Sequence, residues 1–360
     1  MAEQFYSYQH LFDFTRSIFL GIGCNEIEAV TATRTLLSAD VRGIDSHGIA
    51  RLSGYVRLWE AGRVNARPDM KILHQTPSTA VVDGDRGLGL AVAPFAMKIA
   101  IDKAAEVGTG WVSVQNSNHF GIAGHHAMMA IEHDMIGIVM TNASATVAPT
   151  FSVDKMLGTN PICVAVPAGE EPPFIADLAT TTAANGKLEI LQRKNMAAPP
   201  GWVQDAEGNS STDANELKKG GALLPLGGDR EHGSHKGYAL GAVVDIFSAL
   251  LSGANYAPWV PPFPAYLPMP AQQPGKGIGH FLGAMRIDAF RPAKEFKQHM
   301  DNWIRGFRNA RTVAGQSAVL IPGDPEREME ASRMEHGIPL LDVVVNDLRR
   351  LGEKFQIAFE

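Results

Sequence analysis

A histidine, an arginine and a tyrosine recur at four-residue intervals near the start of the chain, as His47, Arg51 and Tyr55. Ser46 reads as an N-cap, which puts His47 in the first turn of a helix running to about Glu60. Spacing of i, i+4 and i+8 sets the three side chains along one side of that helix. An imidazole, a guanidinium and a phenol on one stripe suit a small anionic substrate. The planar fork of arginine fits a carboxylate, and the other two groups supply or accept protons. A polar helix face turned to water has the same pattern, so the stripe alone does not decide.

A second stretch carries more. Ser117-Asn118-His119-Phe120-Gly121-Ile122-Ala123-Gly124 follows the strand-like Trp111-Val112-Ser113-Val114 and leads into helical spacing from His126. A strand that empties into a glycine-bearing turn and then a helix presents backbone N–H groups and a positive helix end, which suit an anion. His119 places a proton carrier in that turn. Asp177 stands at the end of the apolar run Phe174-Ile175-Ala176, where open α/β sheets place chemistry. It could equally cap a helical pattern at 182–194. Lys236 opens an apolar helix, where its charge opposes the helix dipole unless an anion lies there.

Other chemistries lack their parts. His119, His125, His126 and His133 cluster in sequence, but no HExxH pattern and no cysteine cluster accompany them, so no metal is expected. No GxSxG elbow surrounds Ser46. Gly87-Leu88-Gly89 imitates a dinucleotide fingerprint but lacks the third glycine and the acidic ribose ligand, which excludes an ordinary Rossmann site. What is left is a histidine that moves a proton, an arginine that holds an acid group, and glycine-rich turns for an extended anionic cofactor. Hydride transfer between a 2-hydroxy acid and a nicotinamide uses that set.

The elements that must position these residues are legible in outline. Helical patterns cover 4–21 and 25–41, the second opening on Asn25 with Glu28 three residues later as a capping box. Strand patterns cover 70–75, 79–83, 110–115, 136–141, 161–166 and 173–177, with helices at about 88–107 and 122–134. Residues 195–235 are loop-rich, with one hairpin near Trp202-Val203, and residues 253–276 hold seven prolines that exclude a helix or a central strand. A turn at 277–281 precedes a strand, and helices at 292–310, 324–336 and 341–354 close the chain. The alternation reads as α/β, and hairpin-like pairs argue against a purely parallel sheet.

Bulk properties narrow the setting. The 360 residues are 45% hydrophobic, enough for a large core in more than one lobe. A net charge of −6 without a basic run argues against nucleic acid. Two cysteines without CxxC spacing give no disulfide framework, the first residues lack a signal-peptide pattern, and no apolar run reaches about 18 residues. A cytoplasmic protein with no membrane partner is the expectation.

Taken together, Asp45-Ser46-His47-Gly48, Ser117-Asn118-His119-Phe120-Gly121, Gly158-Thr159-Asn160-Pro161, Asp177-Leu178-Ala179-Thr180, His235-Lys236-Gly237-Tyr238 and Gly279-His280-Phe281 resemble the type-2 malate/L-lactate dehydrogenase family, in family order over roughly 40–285. That family includes sulfolactate and ureidoglycolate dehydrogenases, 2,3-diketogulonate reductases and cyclic imine reductases. The resemblance implies a non-Rossmann NAD(P)-binding fold with a mixed sheet, plus a helical domain built from both chain ends, and a homodimer. On that basis residues 1–70 and 290–360 form the helical substrate and dimerisation domain, and 71–289 form the cofactor domain with insertions near 195–235 and 253–276. It also implies a catalytic set of His47, His119 and Asp177 and a substrate set of Ser46, Arg51 and Tyr55. Cofactor contacts are expected from His119, Phe120, Gly121, Ile122, Ala123, Asn142, Ser144, Thr159, Asn160, Asp177, Leu178, Ala179, Lys236, Gly279, His280 and Phe281. The cofactor is NAD or NADP, with NAD favoured, and the substrate a small 2-hydroxy or 2-oxo acid. A cyclic imino acid, diketogulonate, or a non-catalytic metabolite-binding role are the alternatives. The proline-dense 253–276 segment is a candidate lid.

Overall fold

The computed structural model describes residues 3–360; Met1 and Ala2, part of the start read for a signal peptide, lie outside the described residues. The chain begins with β1 (Glu3–Tyr6), α1 (Tyr8–Gly21), α2 (Glu26–Val41) and α3 (Leu52–Glu60). It continues through β2 (Lys71–Gln75), β3 (Thr79–Asp83), α4 (Gly89–Val107), β4 (Thr109–Ser117), α5 (Ala123–Met128), β5 (Met135–Thr141), β6 (Ile162–Val166), β7 (Phe174–Leu178) and α6 (Asn185–Lys194). After the short strands β8 (Val203–Gln204), β9 (Ser210–Ser211) and β10 (Ala222–Leu223) come α7 (Ser234–Asp245), β11 (Ile278–Arg286), α8 (Ala293–Arg308), α9 (Asp324–His336), β12 (Ile338–Leu341) and α10 (Asp342–Phe355).

The main sheet has seven strands in the order β2-β3-β4-β11-β5-β6-β7. Only β3 and β4 run parallel, joined by α4 as the crossover; every other pair is antiparallel. This is the mixed α/β sheet expected, and its order is unlike a doubly wound nucleotide fold. The decisive insertion is β11, which arrives late in sequence and lodges between β4 and β5. It therefore brings a distant segment against the strand that leads into the His119 turn. One sheet core joins Val82, Val112, Val114, Val139 and Leu282 to Ala96, Met97 and Ala100 of α4. A second apolar cluster is shared by the two chain ends: Leu11 and Ile18 of α1, Leu36 of α2, Leu52 and Val56 of α3, and Val345 and Leu348 of α10. Among the described residues no helix is long and apolar enough to cross a membrane.

Local physics explains most elements. Asn25 Oδ1 accepts from Glu28 N at 2.9 Å while Asn25 N donates to the Glu28 carboxylate at 3.4 Å, the reciprocal capping box anticipated for α2. The hairpin near Trp202-Val203 is β8 paired with β9.

Three readings are corrected. The helix expected over 4–21 starts only at Tyr8, because Gln4, Phe5 and Tyr6 pair with Leu340, Pro339 and Ile338 and Ser7 then caps α1. The segment 277–281 is not a turn: Gly279, His280 and Phe281 lie inside β11, buried on both faces, so no polar alternation announced the strand. Ser46 is not an N-cap. The carboxylate of Asp40, from α2, accepts the Ile49 N–H at 2.7 Å, and the helix begins there as a single 3-10 turn, Ile49–Arg51. Gly48 belongs to this arrangement, since a Cβ at that position would collide with the Asp40 carboxylate. His47 consequently sits in the turn before the helix, not on a helical stripe with Arg51 and Tyr55.

Candidate active site

Although the helical stripe does not form, its three residues still converge, and they do so on the turn after β4. Tyr55 is fully buried and its Oη lies 2.6 Å from His119 Nδ1. The Gly121 N–H donates to the same Nδ1 at 3.3 Å. A ring nitrogen that accepts an N–H has no proton of its own, so the neutral His119 carries its hydrogen on Nε2. The His47 ring stacks on His119 with centroids 5.6 Å apart and planes at 24°. Ser46 Oγ lies 2.9 Å from His47 Nδ1, which leaves His47 Nε2 without a protein partner among the described residues. Arg51 donates from Nε to the Ser46 carbonyl at 2.6 Å, and its two Nη groups have no protein acceptor among those residues.

Burial keeps both rings neutral. It pulls the His47 imidazole down to about 4, with the Arg51 charge adding to the effect. It lowers His119 well below the usual histidine range, assisted by His47 and Arg51. The Tyr55 hydroxyl is pushed upward by burial and stays protonated. The site thus offers two neutral imidazoles, a phenol and a fixed guanidinium.

The turn that holds His119 is braced on several sides. Asn118 Nδ2 donates to the carbonyls of Arg86 and Gly87, each at 3.0 Å. Gly89 opens α4 directly against the Asn118 and His119 carbonyls, where a Cβ would collide with both. The Gly87-Leu88-Gly89 text is therefore a packing surface for the histidine turn, not a phosphate loop. On the opposite side α9 reaches the His47 loop: Arg333 pairs with the Asp45 carboxylate, Nη2 to Oδ2 at 3.2 Å, and also donates to the Asp40 carbonyl.

Asp177 closes the far end of the same turn. It stands in the last positions of β7 and accepts the Gly124 N–H at 2.6 Å. It does not cap α6, whose first residue is Asn185. Asp177 lines a cavity of about 370 Å³ with Arg42, Ile122, Gly124, Leu178 and the 320–326 segment. The carboxylate opens to the cavity, yet the protein packed around it displaces enough water to raise its pKa to about 6, against the opposing pull of the Gly124 bond and Arg42. Arg42 is 7% exposed and donates through Nη1 to Glu330 at 2.8 Å. The turn 119–124 thus has the histidine pair at one end and the cavity wall at the other.

The remaining expected residues divide. Leu178 is exposed at the cavity and Lys236 is exposed in the first turn of α7. Ser144 and Ala179 are partly exposed, whereas Ile122 and Ala123 are buried. The Thr159 carbonyl accepts from Thr180 at 3.0 Å. The Asn142 side chain is fully engaged inside the protein, accepting from Gly279 N and donating to Asp245 and to the Asn255 carbonyl. Asn160 is likewise buried, between Ala143 N and the Gly241 carbonyl. Phe120 and His280 are enclosed in the core, and Phe281 stacks on Trp111.

Sequence reasoning missed three contributors: Arg42, the 320–326 segment and Phe263. Phe263 comes from the proline-dense 253–276 stretch, lies tilted at 52° to the His119 ring with centroids 4.9 Å apart, meets Tyr55 edge-on at 5.1 Å and lies 5.9 Å from the Arg51 guanidinium. An aromatic within a proline-rich loop was the available signal; the other two lie far away in sequence and carried none.

Comparison with known proteins gives the chain its family. A family model described as malate/L-lactate dehydrogenase matches residues 6–349. The chain belongs to the malate/L-lactate dehydrogenase family. It is accordingly an oxidoreductase of the 2-hydroxy acid dehydrogenase class. A malate dehydrogenase of Pyrococcus horikoshii is 39% identical over 345 residues, covering 96% of this chain and 93% of that protein. An L-sulfolactate dehydrogenase of Methanocaldococcus jannaschii is 34% identical, covering 94% and 93%. The crystal structure of a malate dehydrogenase from Entamoeba histolytica superposes with a TM-score of 0.92 at 32% identity, covering 99% of both chains.

Proposed function

We propose that this chain interconverts a small 2-hydroxy acid and its 2-oxo acid, with Arg51 holding the carboxylate and His47 taking up the hydroxyl proton. The observation that carries this reading is the stacked pair of neutral imidazoles beside an arginine whose Nη groups have no protein acceptor among the described residues. His47 offers a free Nε2 when Nδ1 is turned to Ser46 Oγ, which makes it the acceptor. His119, with its proton on Nε2, is a hydrogen-bond donor for the oxygen on which charge develops. Tyr55 and Gly121 fix that tautomer from behind.

A nicotinamide cofactor fits the groups beside this pair. The cavity at Asp177 lies within the usual size of a ligand pocket, its walls are largely apolar, and the Arg42 Nε and Nη2 have no protein acceptor among the described residues. When bound, the cofactor supplies the hydride acceptor. Asp177, Leu178, Gly124, Arg42 and the 320–326 segment would hold it, with Lys236 at its anionic portion. We assign NAD rather than NADP, because Asp177 and Glu326 share the cavity with one arginine already paired to Glu330, a setting that suits ribose hydroxyls better than an added phosphate. Residues 1–70 and 290–360 would form the helical body and 71–289 the cofactor body, in a cytoplasmic homodimer. Tyr238, Ile246, Leu250 and Leu251, exposed along α7 and its continuation, support self-association.

A second reading rests on Asp177. A carboxyl raised to about 6 is partly protonated near neutral pH and could donate a proton to a cyclic imino acid. A panel of malate, L-lactate, sulfolactate and ureidoglycolate with NAD and NADP, set against diketogulonate and cyclic imino acids with the reduced cofactors, separates the readings. Turnover only with the imino acids would transfer the assignment to Asp177; no turnover with any compound would leave a binding role.

A further inference from the structure

One buried imidazole is not accounted for by the chemistry above. His280 sits near the start of β11 with no surface open to a ligand. Its Nε2 lies 2.7 Å from Ser117 Oγ, the last residue of β4, and its Nδ1 lies 2.7 Å from Thr141 Oγ1, the last residue of β5. Its ring stacks almost flat on Phe120, with centroids 4.8 Å apart and planes at 12°. Phe120 immediately follows His119, and Ser117 stands two residues before it. The same Phe120 is held on another side by His126, whose Nε2 is 2.9 Å from the Phe120 carbonyl.

We propose that His280 is a positioning residue that fixes the His119 turn from beneath, through Ser117 and Phe120. This inference rests on the proposed role of His119, and it reassigns His280 from a cofactor contact to a support. The physical argument is geometric. The strand-to-turn path from Ser117 to Gly121 has one polar tether below it, the Ser117 hydroxyl bond, and one flat apolar seat, the imidazole face under Phe120. A neutral imidazole provides one N–H and one lone pair, and the Ser117 and Thr141 hydroxyls can each donate or accept, so both nitrogens are satisfied without a charge. Burial holds His280 at about 3, so it stays neutral throughout the working range. A hydrocarbon of the same shape would preserve the stack but release Ser117; an amide would preserve the Ser117 bond but remove the flat face. Only an aromatic ring with nitrogens does both. Thr141 completes the ladder by donating to the Gly279 carbonyl at 3.0 Å, so the three strands are locked in register where the turn leaves the sheet.

The test uses the full chain with two readouts, one of which needs no activity. His280→Phe is expected to lower kcat about 10- to 100-fold, the cost of displacing a reacting group by up to about 1 Å, with the KM for the acid and the affinity for NAD within about twofold of the native values. In the same variant the imidazole resonances of His119 are expected to shift or broaden, while those of the remote His10 stay in place. Ser117→Ala, a milder change, is expected to reproduce the kcat loss in part, and His280→Gln, whose amide oxygen can supply an acceptor near the Ser117 hydroxyl, is expected to recover part of it. If native protein turns over no 2-hydroxy acid, the proposed function fails, and the His119 resonances still decide the positioning role. Unchanged His119 resonances in both His280→Phe and Ser117→Ala, or a native kcat in both, would overturn it.

Discussion

Tyr55 Oη and His119 Nδ1 lie 2.6 Å apart, joining α3 to the turn after β4 across 64 positions of sequence. This bond ties the helical cluster formed by the chain ends to the central sheet at the point where the proposed chemistry takes place. It also orients the imidazole, because a hydroxyl and the Gly121 N–H together occupy Nδ1 and direct Nε2–H outward.

Tyr55→Phe removes that hydroxyl without removing the ring that meets Phe263. A neutral buried hydrogen bond contributes about 1 kcal/mol, so the expected loss of stability is small. The expected loss in kcat is larger, about tenfold, because His119 then keeps only the longer Gly121 contact. Steady-state kinetics alongside thermal unfolding checks this; equal loss in both, or in neither, would argue against an orienting role.

Arg51→Ala should act on binding. Hydrogen bonds to charged groups are worth about 1.5–3 kcal/mol, so the KM for the acid is expected to rise about 10- to 100-fold with a smaller change in kcat. Arg51→Lys should recover little, since an ammonium cannot reproduce the planar fork.

Asp177 gives a pH test with opposite signs for the two readings. Its pKa of about 6 means that the carboxylate accepting the Gly124 N–H becomes protonated as pH falls through that value. For a 2-hydroxy acid, kcat/KM is expected to decline below about pH 6, and Asp177→Asn should lack that limb. Were Asp177 the proton donor to an imino acid, activity would instead fall as pH rises through the same value.

Stability should also fall in acid. Burial lowers His47 and His125 to about 4 and His280 to about 3, whereas the unfolded chain takes up these protons near about 6.5. Each contributes stability that is present above about pH 6.5 and lost as pH falls through its folded value. Asp177 runs the other way, favouring the folded state below about pH 4 and losing that contribution as pH rises through about 6. His119 and His126 are lowered by desolvation as well, while Glu28, Asp40 and Asp245 are raised alongside Asp177. The five imidazoles outnumber the raised carboxyls, so the urea midpoint is expected to drop between pH 7 and pH 5; a flat profile would contradict the desolvation of these rings.

Much of the fold was legible because its signals are local. The capping box of α2 and the alternation of β3 and β5 depend on residues within one turn or strand. The errors arose where a distant partner overrode a local preference. Ser46 is a good N-cap residue, but Asp40 reaches the Ile49 N–H first. Gly279 looked like a turn glycine, yet β11 takes it into the sheet because its neighbours are buried on both faces. The site was legible in residue type more than in geometry. His47, Arg51, Tyr55 and His119 do converge, though through a turn and a stack rather than a helical stripe, while Arg42 and residues 320–326 meet Asp177 only through packing of α2 and α9.

The most direct test is the rate of NAD reduction across the 2-hydroxy acid panel in native protein and in His47→Gln, with NAD binding measured separately. At least one acid is expected to support turnover in the native protein, and the variant should lose at least about 100-fold in kcat, the usual contribution of a positioned base, while still binding NAD. Turnover by His47→Gln at the native rate would contradict the assignment of His47 as the proton acceptor, and no turnover by native protein with any acid would contradict the dehydrogenase mechanism itself.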